Sequence, residues 1–287
     1  MAFVPKRIGI VGLGLMGGSF AKAYASAGWE VFGCNRSREI TELALIETLT
    51  GELDDAAIPG CELIILAGYP QACVDWLEAH AALIAEGALV IDVAGVKRWI
   101  CERCDAIAAA HDFTFIGCHP MAGTQYSGFA YAHAHMFAGA PMVVVPPALD
   151  DIERADAIDR LRELLSPCGF GSFTLASAEE HDRMIAYTSQ LAHVVSNAYV
   201  KSPTAQAHRG FSAGSYRDLT RVAQLNAPMW TELILDNADF AGDEVDLLIE
   251  NLTAYRDAIR AGDAEALEAL FAEGDALKRA ADGSRRG

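Results

Sequence analysis

Basic side chains are scarce in this sequence. The 287 residues include 22 lysines and arginines against 39 aspartates and glutamates, which gives a formal net charge of -17. An exterior of that sign repels the phosphates of nucleic acids and the headgroups of anionic lipids. The composition therefore argues against nucleic acid and against a membrane surface as partners.

A long hydrophobic run and an export signal are also missing. The helix-length stretch without charged residues, 184–200, contains polar side chains such as Thr188 and His193, so it predicts a buried core helix rather than a membrane span. Residues 1–7 lead directly into a strand-like run, without the basic, apolar and small-residue order of a signal peptide. We therefore expect a cytoplasmic protein.

The seven cysteines follow no regular spacing. An odd number without a framework argues for reduced thiols rather than disulfides. Cys101 and Cys104 form a CxxC pair, but no second CxxC or His-rich pair completes four metal ligands. We interpret the two thiols as buried apolar groups on one helix face and expect no metal site.

Short β-rich runs alternate with helix-length segments in the first part of the chain. The alternation is typical of βαβ units in a mostly parallel sheet. Several runs are apolar at successive positions, which indicates that helices cover both faces of the sheet. The runs are 7–12, 30–34, 62–67, 88–93, 113–118, 142–145 and 171–175.

The strand signals stop near residue 177, and the remainder is predicted to be helical. Asp243 and Asp263 stand where N-caps are expected, and Gly262 stands just after a helix end. We predict an α/β domain over 1–177 and an all-α domain over 178–287. The predicted helices are 178–201, 212–225, 228–238, 243–261 and 263–279.

A glycine-rich turn directly follows the first predicted strand. Gly12, Gly14 and Gly17 form a GxGxxG that opens a helix, with Leu15 and Met16 between the last two glycines. The first glycine permits the tight turn, the second lets a pyrophosphate approach, and the third allows close helix packing. In this strand, turn and helix context the motif predicts a Rossmann-type domain that binds a dinucleotide at a helix N-terminus.

The end of the second strand bears on cofactor choice. The acidic residue expected to bind the ribose hydroxyls of NAD is replaced by Asn35, followed by Arg36 and Ser37. These residues can accept a 2′-phosphate, so NADP is favoured and NAD is possible, while Arg36 could instead stack on the adenine. Ala67 and Gly68, after the third predicted strand, are further cofactor-binding candidates.

His119 directly follows the fifth predicted strand, in the segment GCHPMAG. Ligands of open α/β sheets bind beyond the carboxyl ends of the strands, and Pro120 biases His119 towards an extended conformation. An imidazole can accept a proton from a hydroxyl at neutral pH. We therefore predict that His119 is catalytic, whereas His133 and His135 are expected on the surface.

Ser189, His193 and Asn197 recur every four residues in the uncharged helix. They therefore form a polar line along one face of an otherwise apolar helix. Because buried polar groups need partners, the line forms either an interhelical hydrogen-bond network or a substrate-contacting face. The sequence leaves both readings open.

Arg217 and Arg221 lie one helical turn apart. In so acidic a chain, two guanidinium groups near a cleft would attract a carboxylate and could bind it through both oxygens. Arg217 could instead pair with Asp218 or Asp182. Arg221 is therefore the better candidate for binding substrate.

Five segments resemble the prephenate/arogenate dehydrogenases of tyrosine biosynthesis, in the same order and over nearly the whole chain. HPMAG and RDxTR are the more specific of the motifs, because GLGxMG also occurs in other reductase families. The segments are GLGLMGGS (12–19), DVAGVK (92–97), GCHPMAG (117–123), HD (181–182) with SQLAH (189–193), and RDLTRVAQLNAPMW (217–230).

The resemblance implies an NAD(P)-dependent oxidative decarboxylation of prephenate or arogenate. His119 would act on the ring hydroxyl while a hydride leaves for the nicotinamide. Arg221 and His193 would contact the substrate, and Thr124 and Gln125 would line the cleft. The helical half would form a homodimer.

The chain departs from the family pattern at several positions. Gly95, a substrate-site position, replaces a serine of the D-V-x-S-V-K pattern, Gln190 and Ala192 replace a histidine and a proline, and Gln125 stands where an acidic residue is common. We expect no regulatory domain after the helices and therefore no feedback through such a domain.

Two other functions remain open at the level of sequence. One is an NADP-linked reductase of the β-hydroxyacid or imine reductase type, although no lysine occurs between Arg183 and Val200 where such enzymes commonly carry one. The other is a dinucleotide-binding sensor without turnover, against which the retained His119 argues.

Overall fold

The computed structural model describes residues 6–124 and 126–283. Its strands are β1 (Arg7–Val11), β2 (Glu30–Cys34), β3 (Gly51–Glu52), β4 (Leu63–Leu66), β5 (Leu89–Asp92), β6 (Thr114–Pro120), β7 (Pro141–Val145) and β8 (Ser172–Leu175). The helices are α1 (Leu15–Ser26), α2 (Arg38–Glu47), α3 (Pro70–His80), α4 (Arg98–Ala108), α5 (Asp151–Leu164), α6 (Ala178–Ile185), α7 (Ala192–Tyr199), α8 (Gly214–Thr220), α9 (Ala227–Leu235), α10 (Ala238–Ala261) and α11 (Ala264–Gly283). A π-helical turn, Ala186–Leu191, joins α6 to α7.

The strands form one sheet in the order β3-β2-β1-β4-β5-β6-β7-β8. All neighbouring pairs are parallel except β6 and β7, which are antiparallel. This confirms the predicted mostly parallel α/β sheet followed by helices. The strand order reverses between β1 and β4, and ligands of such sheets bind in the crevice at this reversal.

The core lies on both faces of the sheet. Every residue of β4 and β5 is buried, as is the run Ile8–Val11 of β1, which agrees with the expectation from their continuous apolar sequences. Cys101 and Cys104 are free and buried, as the interpretation of this pair as apolar side chains requires. The two-residue strand β3 was missed because so short a run carries no periodic signal.

The helical part differs in detail from the prediction. Gly262 has φ +65° at the end of α10, and the carboxylate of Asp263 accepts a hydrogen bond from the N–H of Ala266 at 3.0 Å, so this helix stop and start are confirmed. The N-cap expected at Asp243 is wrong, because α10 already begins at Ala238. The helix predicted over 212–225 is limited to Gly214–Thr220.

Helix 184–200 is less buried than the sequence suggested. Met184 and Tyr187 are exposed by 58% and 61%, so only one side of the helix meets the core. Among the described residues, no helix has both the length and the apolar composition needed to cross a bilayer.

The chain consists of two compact units, Met1–Asn237 and Ala238–Gly287. The last strand ends at Leu175, within the first unit. The predicted division into domains 1–177 and 178–287 stays a prediction.

Candidate active site

The glycine-rich turn lies against the end of β4. Gly12 has φ +90°, and a Cβ atom on it would lie 2.8 Å from the carbonyl oxygen of Ala67 and 3.0 Å from the nitrogen of Gly68. A Cβ on Gly17 would lie 1.8 Å from the carbonyl oxygen of Gly12. Only glycine therefore permits this turn and its packing. The structure brings Ala67 and Gly68 to the turn, where the cofactor hypothesis needs them.

Gly14 leaves the N-terminus of α1 open. A Cβ on Gly14 would meet no heavy atom within 4 Å, no side chain caps the helix, and its first turn contains no acidic residue. The backbone N–H groups at Leu15 and Met16 lack intrahelical acceptors at this position and can bind an anion. This cradle fits the pyrophosphate of a dinucleotide.

Asn35 connects the end of β2 to the glycine-rich turn. Its Oδ1 atom accepts a hydrogen bond from the N–H of Leu13 at 3.0 Å, a structural role that the sequence did not indicate. Arg36 and Ser37 are exposed beside it. Arg38 pairs with glutamates, whereas Arg36 has no ion pair within the described parts of the chain.

His119 lies at the end of β6, opposite Val143 of β7. Its ring retains partial exposure, but the surrounding protein excludes most water. This burial lowers the pKa of His119 well below its usual value, and the neighbouring His181 and Lys97 lower it further. The imidazole is therefore neutral at neutral pH and can accept a proton.

A chain of hydrogen bonds runs from His119 to a carboxylate. The Nδ1 atom of His119 lies 2.8 Å from Nε2 of His181, and Nδ1 of His181 lies 2.7 Å from Oδ1 of Asp182. Burial lowers the pKa of His181, although the hydrogen bond to Asp182 opposes this shift. Sequence reasoning quoted the His181–Asp182 pair only as part of a motif.

The carboxylate of Asp182 also caps the start of α4. It accepts hydrogen bonds from the N–H of Lys97 at 2.7 Å and from the N–H of Arg98 at 2.9 Å, and a longer one from Nε of Arg98. Burial alone would raise the pKa of Asp182, but the hydrogen bonds from His181 and from the two backbone N–H groups hold it below its usual value. Asp182 is therefore ionised.

A buried ion pair supports the ends of β5 and β6. Nζ of Lys97 bonds to Oδ2 of Asp92, and both side chains are fully buried. Asp92 also accepts hydrogen bonds from the N–H of Ala94 at 2.9 Å and of Cys118 at 3.2 Å. The pair thereby fixes the residue that precedes His119. The motif DVAGVK contains both partners, but their pairing was not predicted.

Buried amides hold α9 against the π-helical turn. Nε2 of Gln190 donates to the carbonyl oxygen of Leu233 at 2.8 Å, and Nδ2 of Asn237 donates to Oε1 of Gln190 at 2.8 Å. The side chain of Leu233 faces Gly95, where an added Cβ would lie 3.5 Å from it. A Cβ atom at position 95 would therefore meet only ordinary van der Waals contact.

The residues of the polar line in the long helix make different contacts. Asn197 donates to the carbonyl oxygen of Ala223 at 3.1 Å, which is the interhelical bond of the first reading. His193 stacks on Trp230 with ring centroids 3.7 Å apart. Burial lowers the pKa of His193, and the charge of Arg221 contributes to the lowering.

The remaining candidates are less connected to this cluster. Arg217 is exposed on α8, and among the described residues it pairs with neither Asp218 nor Asp182. The hydroxyl of Thr124 accepts a hydrogen bond from the N–H of Tyr126 at 3.2 Å, and among the described residues it forms no hydrogen bond with another candidate. Gln125 lies outside the described residues.

Two family models together match most of the chain. The prephenate dehydrogenase nucleotide-binding domain matches residues 20–172, and the prephenate dehydrogenase dimerization domain matches residues 177–273. The first of these matches alone covers more than half of the sequence.

Individual proteins agree with the family models. The prephenate dehydrogenase of Bacillus subtilis (strain 168) is 30% identical over 91% of this chain and 72% of that protein. The arogenate dehydrogenase structure of Synechocystis is 26% identical, with a TM-score of 0.77 over 95% of this chain and 98% of that one. The A. aeolicus prephenate dehydrogenase, solved with hydroxyphenyl propionate and NAD+, is 23% identical, with a TM-score of 0.81 over 97% and 99%. Because these family models and relatives cover most of its length, the chain belongs to the prephenate dehydrogenase family of NAD(P)-dependent oxidoreductases.

Proposed function

We propose that the chain catalyses the oxidative decarboxylation of prephenate or arogenate. The hydroxyl-bearing ring carbon loses a hydride and its hydroxyl loses a proton, which gives a ring ketone. The ring carboxylate then leaves as carbon dioxide, and its bonding electrons make the ring aromatic and place a negative charge on that oxygen, which takes a proton back to give the phenol. The observation that carries the proposal is the neutral His119 at the carboxyl end of the sheet, on the same edge as the glycine-rich turn.

The residues of the chain bind the cofactor and the substrate, orient them, and move a proton. Gly12, Gly14 and Gly17 shape the cradle for the pyrophosphate, with Leu15 and Met16 donating backbone N–H groups. When bound, the nicotinamide supplies the hydride acceptor. His119 accepts the proton of the substrate hydroxyl as the hydride leaves, which prevents positive charge from building up on that oxygen. The imidazolium then returns the proton to the negatively charged oxygen that forms when carbon dioxide departs.

We assign the binding of a substrate carboxylate to Arg221, with His193 as its neighbour. Arg221 is exposed, and no acidic side chain pairs with it within the described parts of the chain. Its effect on the pKa of His193 supports a common place for the two side chains. Arg217, one turn earlier, is proposed as a second and weaker cationic contact.

Replacing Arg221 by alanine should raise the KM for the substrate by about 10-fold or more, because a charge-assisted hydrogen bond is lost. The melting temperature should change little, since the side chain is exposed. Steady-state kinetics of Arg221→Ala beside Arg209→Ala, another exposed arginine of the helical part, measures this. Equal KM values in both variants would contradict the assignment.

We propose that NADP is preferred over NAD. Arg36 and Ser37 are exposed at the end of β2, and Asn35 carries no charge that would repel a 2′-phosphate. The A. aeolicus structure was solved with NAD+, so NAD is the cofactor against which the preference for NADP is measured. No acidic side chain stands at position 35, 36 or 37.

Asn35→Asp tests this preference with little structural change, because a carboxylate still accepts the N–H of Leu13. The new charge should raise the KM for NADP by about 10-fold or more through repulsion of the 2′-phosphate, and leave the KM for NAD nearly unchanged. Arg38→Ala, which removes an arginine already paired with glutamates, is the control. A parallel change in both KM values would contradict NADP selectivity.

The reaction itself is tested with purified protein, prephenate or arogenate, and NAD or NADP, followed by absorbance of the reduced cofactor. Turnover in one of the four mixtures supports the proposal. Turnover only with β-hydroxyacids or imines would favour the reductase alternative. Dinucleotide binding without any turnover would favour the sensor.

We also propose a homodimer that forms through the helical half in a cytoplasmic protein. The match to the dimerization domain covers residues 177–273. Phe211 in the first unit is 92% exposed, and α10 exposes Leu247, Ile249 and Leu252 by more than half. Apolar surface of this kind is typical of chains that bury it against a second copy.

A further inference from the structure

The hydrogen bonds between His119, His181 and Asp182 have a direction that the chemistry of the three groups decides. Each distance by itself is compatible with a proton on either atom. The carboxylate of Asp182 determines the direction of the first hydrogen bond, because an ionised carboxylate only accepts hydrogen bonds. The Nδ1 atom of His181, 2.7 Å from Oδ1, must therefore carry a proton.

The state of His181 then decides that of His119. Burial lowers the pKa of His181, so its ring is neutral and its second nitrogen, Nε2, is unprotonated. An unprotonated nitrogen accepts a hydrogen bond, and its partner at 2.8 Å is Nδ1 of His119. The neutral His119 ring therefore holds its single proton on Nδ1 and leaves Nε2 free as a base.

The opposite direction requires a positive charge in an unfavourable place. If Nε2 of His181 donated, both nitrogens of His181 would carry protons and the ring would be a cation. Burial opposes a positive charge on this ring most strongly and the ammonium group of Lys97 opposes it further, and together they outweigh the hydrogen bond to Asp182 and the charges of Asp182 and Asp92, so the pKa of His181 is lowered. Asp182 also accepts hydrogen bonds from Lys97 and Arg98, which limits how far it can stabilise a positive charge on His181.

We propose that His181 and Asp182 are positioning residues, which hold the proton of His119 on Nδ1 so that Nε2 faces the substrate hydroxyl as an unprotonated base. This rests on the proposed function. When Nε2 takes the proton, the bond from Nδ1 to His181 becomes charge-assisted and stronger. Because this gain appears only as the proton moves, it acts on kcat rather than on KM.

Nitrogen NMR of the full-length protein with 15N-labelled histidine tests the proton placement without any turnover. His119→Asn and His181→Gln spectra assign the signals. The expected result at neutral pH is a protonated Nδ1 and an unprotonated Nε2 in both rings. A His119 signal with the proton on Nε2 would overturn the proposal. This readout remains decisive even if neither prephenate nor arogenate is a substrate.

Kinetics of two His181 variants test the consequence for catalysis. His181→Leu removes the acceptor at similar volume and should lower kcat about 10²-fold, with KM within about 2-fold, because the wrong ring nitrogen can then carry the proton. His181→Gln keeps an oxygen that can accept from Nδ1 and should recover most of the loss. The exposed His133→Gln is the matched control.

Melting temperatures separate positioning from folding. If both His181 variants lose kcat equally, or if His181→Leu retains the wild-type kcat, His181 is structural and the proposal fails. If the wild type reduces no cofactor with either substrate, the proposed function fails while the NMR result still decides the placement of the proton.

Discussion

His119→Asn should lower kcat by about 10²-fold or more, with only a small change in the KM for either substrate. The loss of a general base costs about 10²- to 10⁴-fold, because no group then accepts the hydroxyl proton. His119 is partly exposed and is not part of the apolar core, so folding should persist. Steady-state rates and thermal melting of the purified variant measure both effects, and a kcat near that of the wild type would contradict the role of His119.

The pH dependence of kcat follows from the same residue. Burial and the neighbouring His181 and Lys97 lower the pKa of His119, so the neutral, proton-accepting form persists below pH 6.5, the usual value for histidine. Activity should therefore be lost only as the pH falls through this lowered pKa. An acid limb at or above the usual histidine value would contradict the environment described here.

Lys97→Met should destabilise the protein by about 3–5 kcal/mol, because it leaves the carboxylate of Asp92 buried without its counter-charge. Both side chains of the pair are fully buried. Burial lowers the pKa of Lys97, but the charge and hydrogen bond of Asp92 together with Cys101 and Cys118 raise it above its usual value, so the lysine is charged. Denaturant unfolding followed by circular dichroism measures the change in the free energy of unfolding.

A second substitution distinguishes loss of charge from loss of packing. Combining Lys97→Met with Asp92→Asn removes the orphaned charge while an amide oxygen still accepts the N–H groups of Ala94 and Cys118. The double variant should be more stable than Lys97→Met alone. Lys278→Met, which breaks an exposed pair with Asp282, should leave the stability nearly unchanged. If Lys97→Met resembles Lys278→Met, the buried pair contributes little.

A large part of the fold could be predicted from short stretches of the sequence. We could recognise β1, β4 and β5 from their continuous apolar runs, and the turn after β1 from its glycine spacing. Each of these signals is complete within a few residues of the sequence. His119 was located for the same reason, since the end of a buried strand can be recognised without knowing its neighbours. Asp243 was misread as a cap because a polar residue inside a partly exposed helix resembles one at its start.

What the sequence by itself determined was the α/β class, the dinucleotide cradle and the candidate base. Only the tertiary structure decided what surrounds that base. Along the sequence, His181 is 62 residues from His119, and Asp182 is 85 residues from Lys97, whose N–H donates a hydrogen bond to it. No local period encodes such pairs, because they form only when α6 packs against the start of α4 and the end of β6. The same packing excludes water and thereby sets the pKa of His119, which depends on burial rather than on residue type.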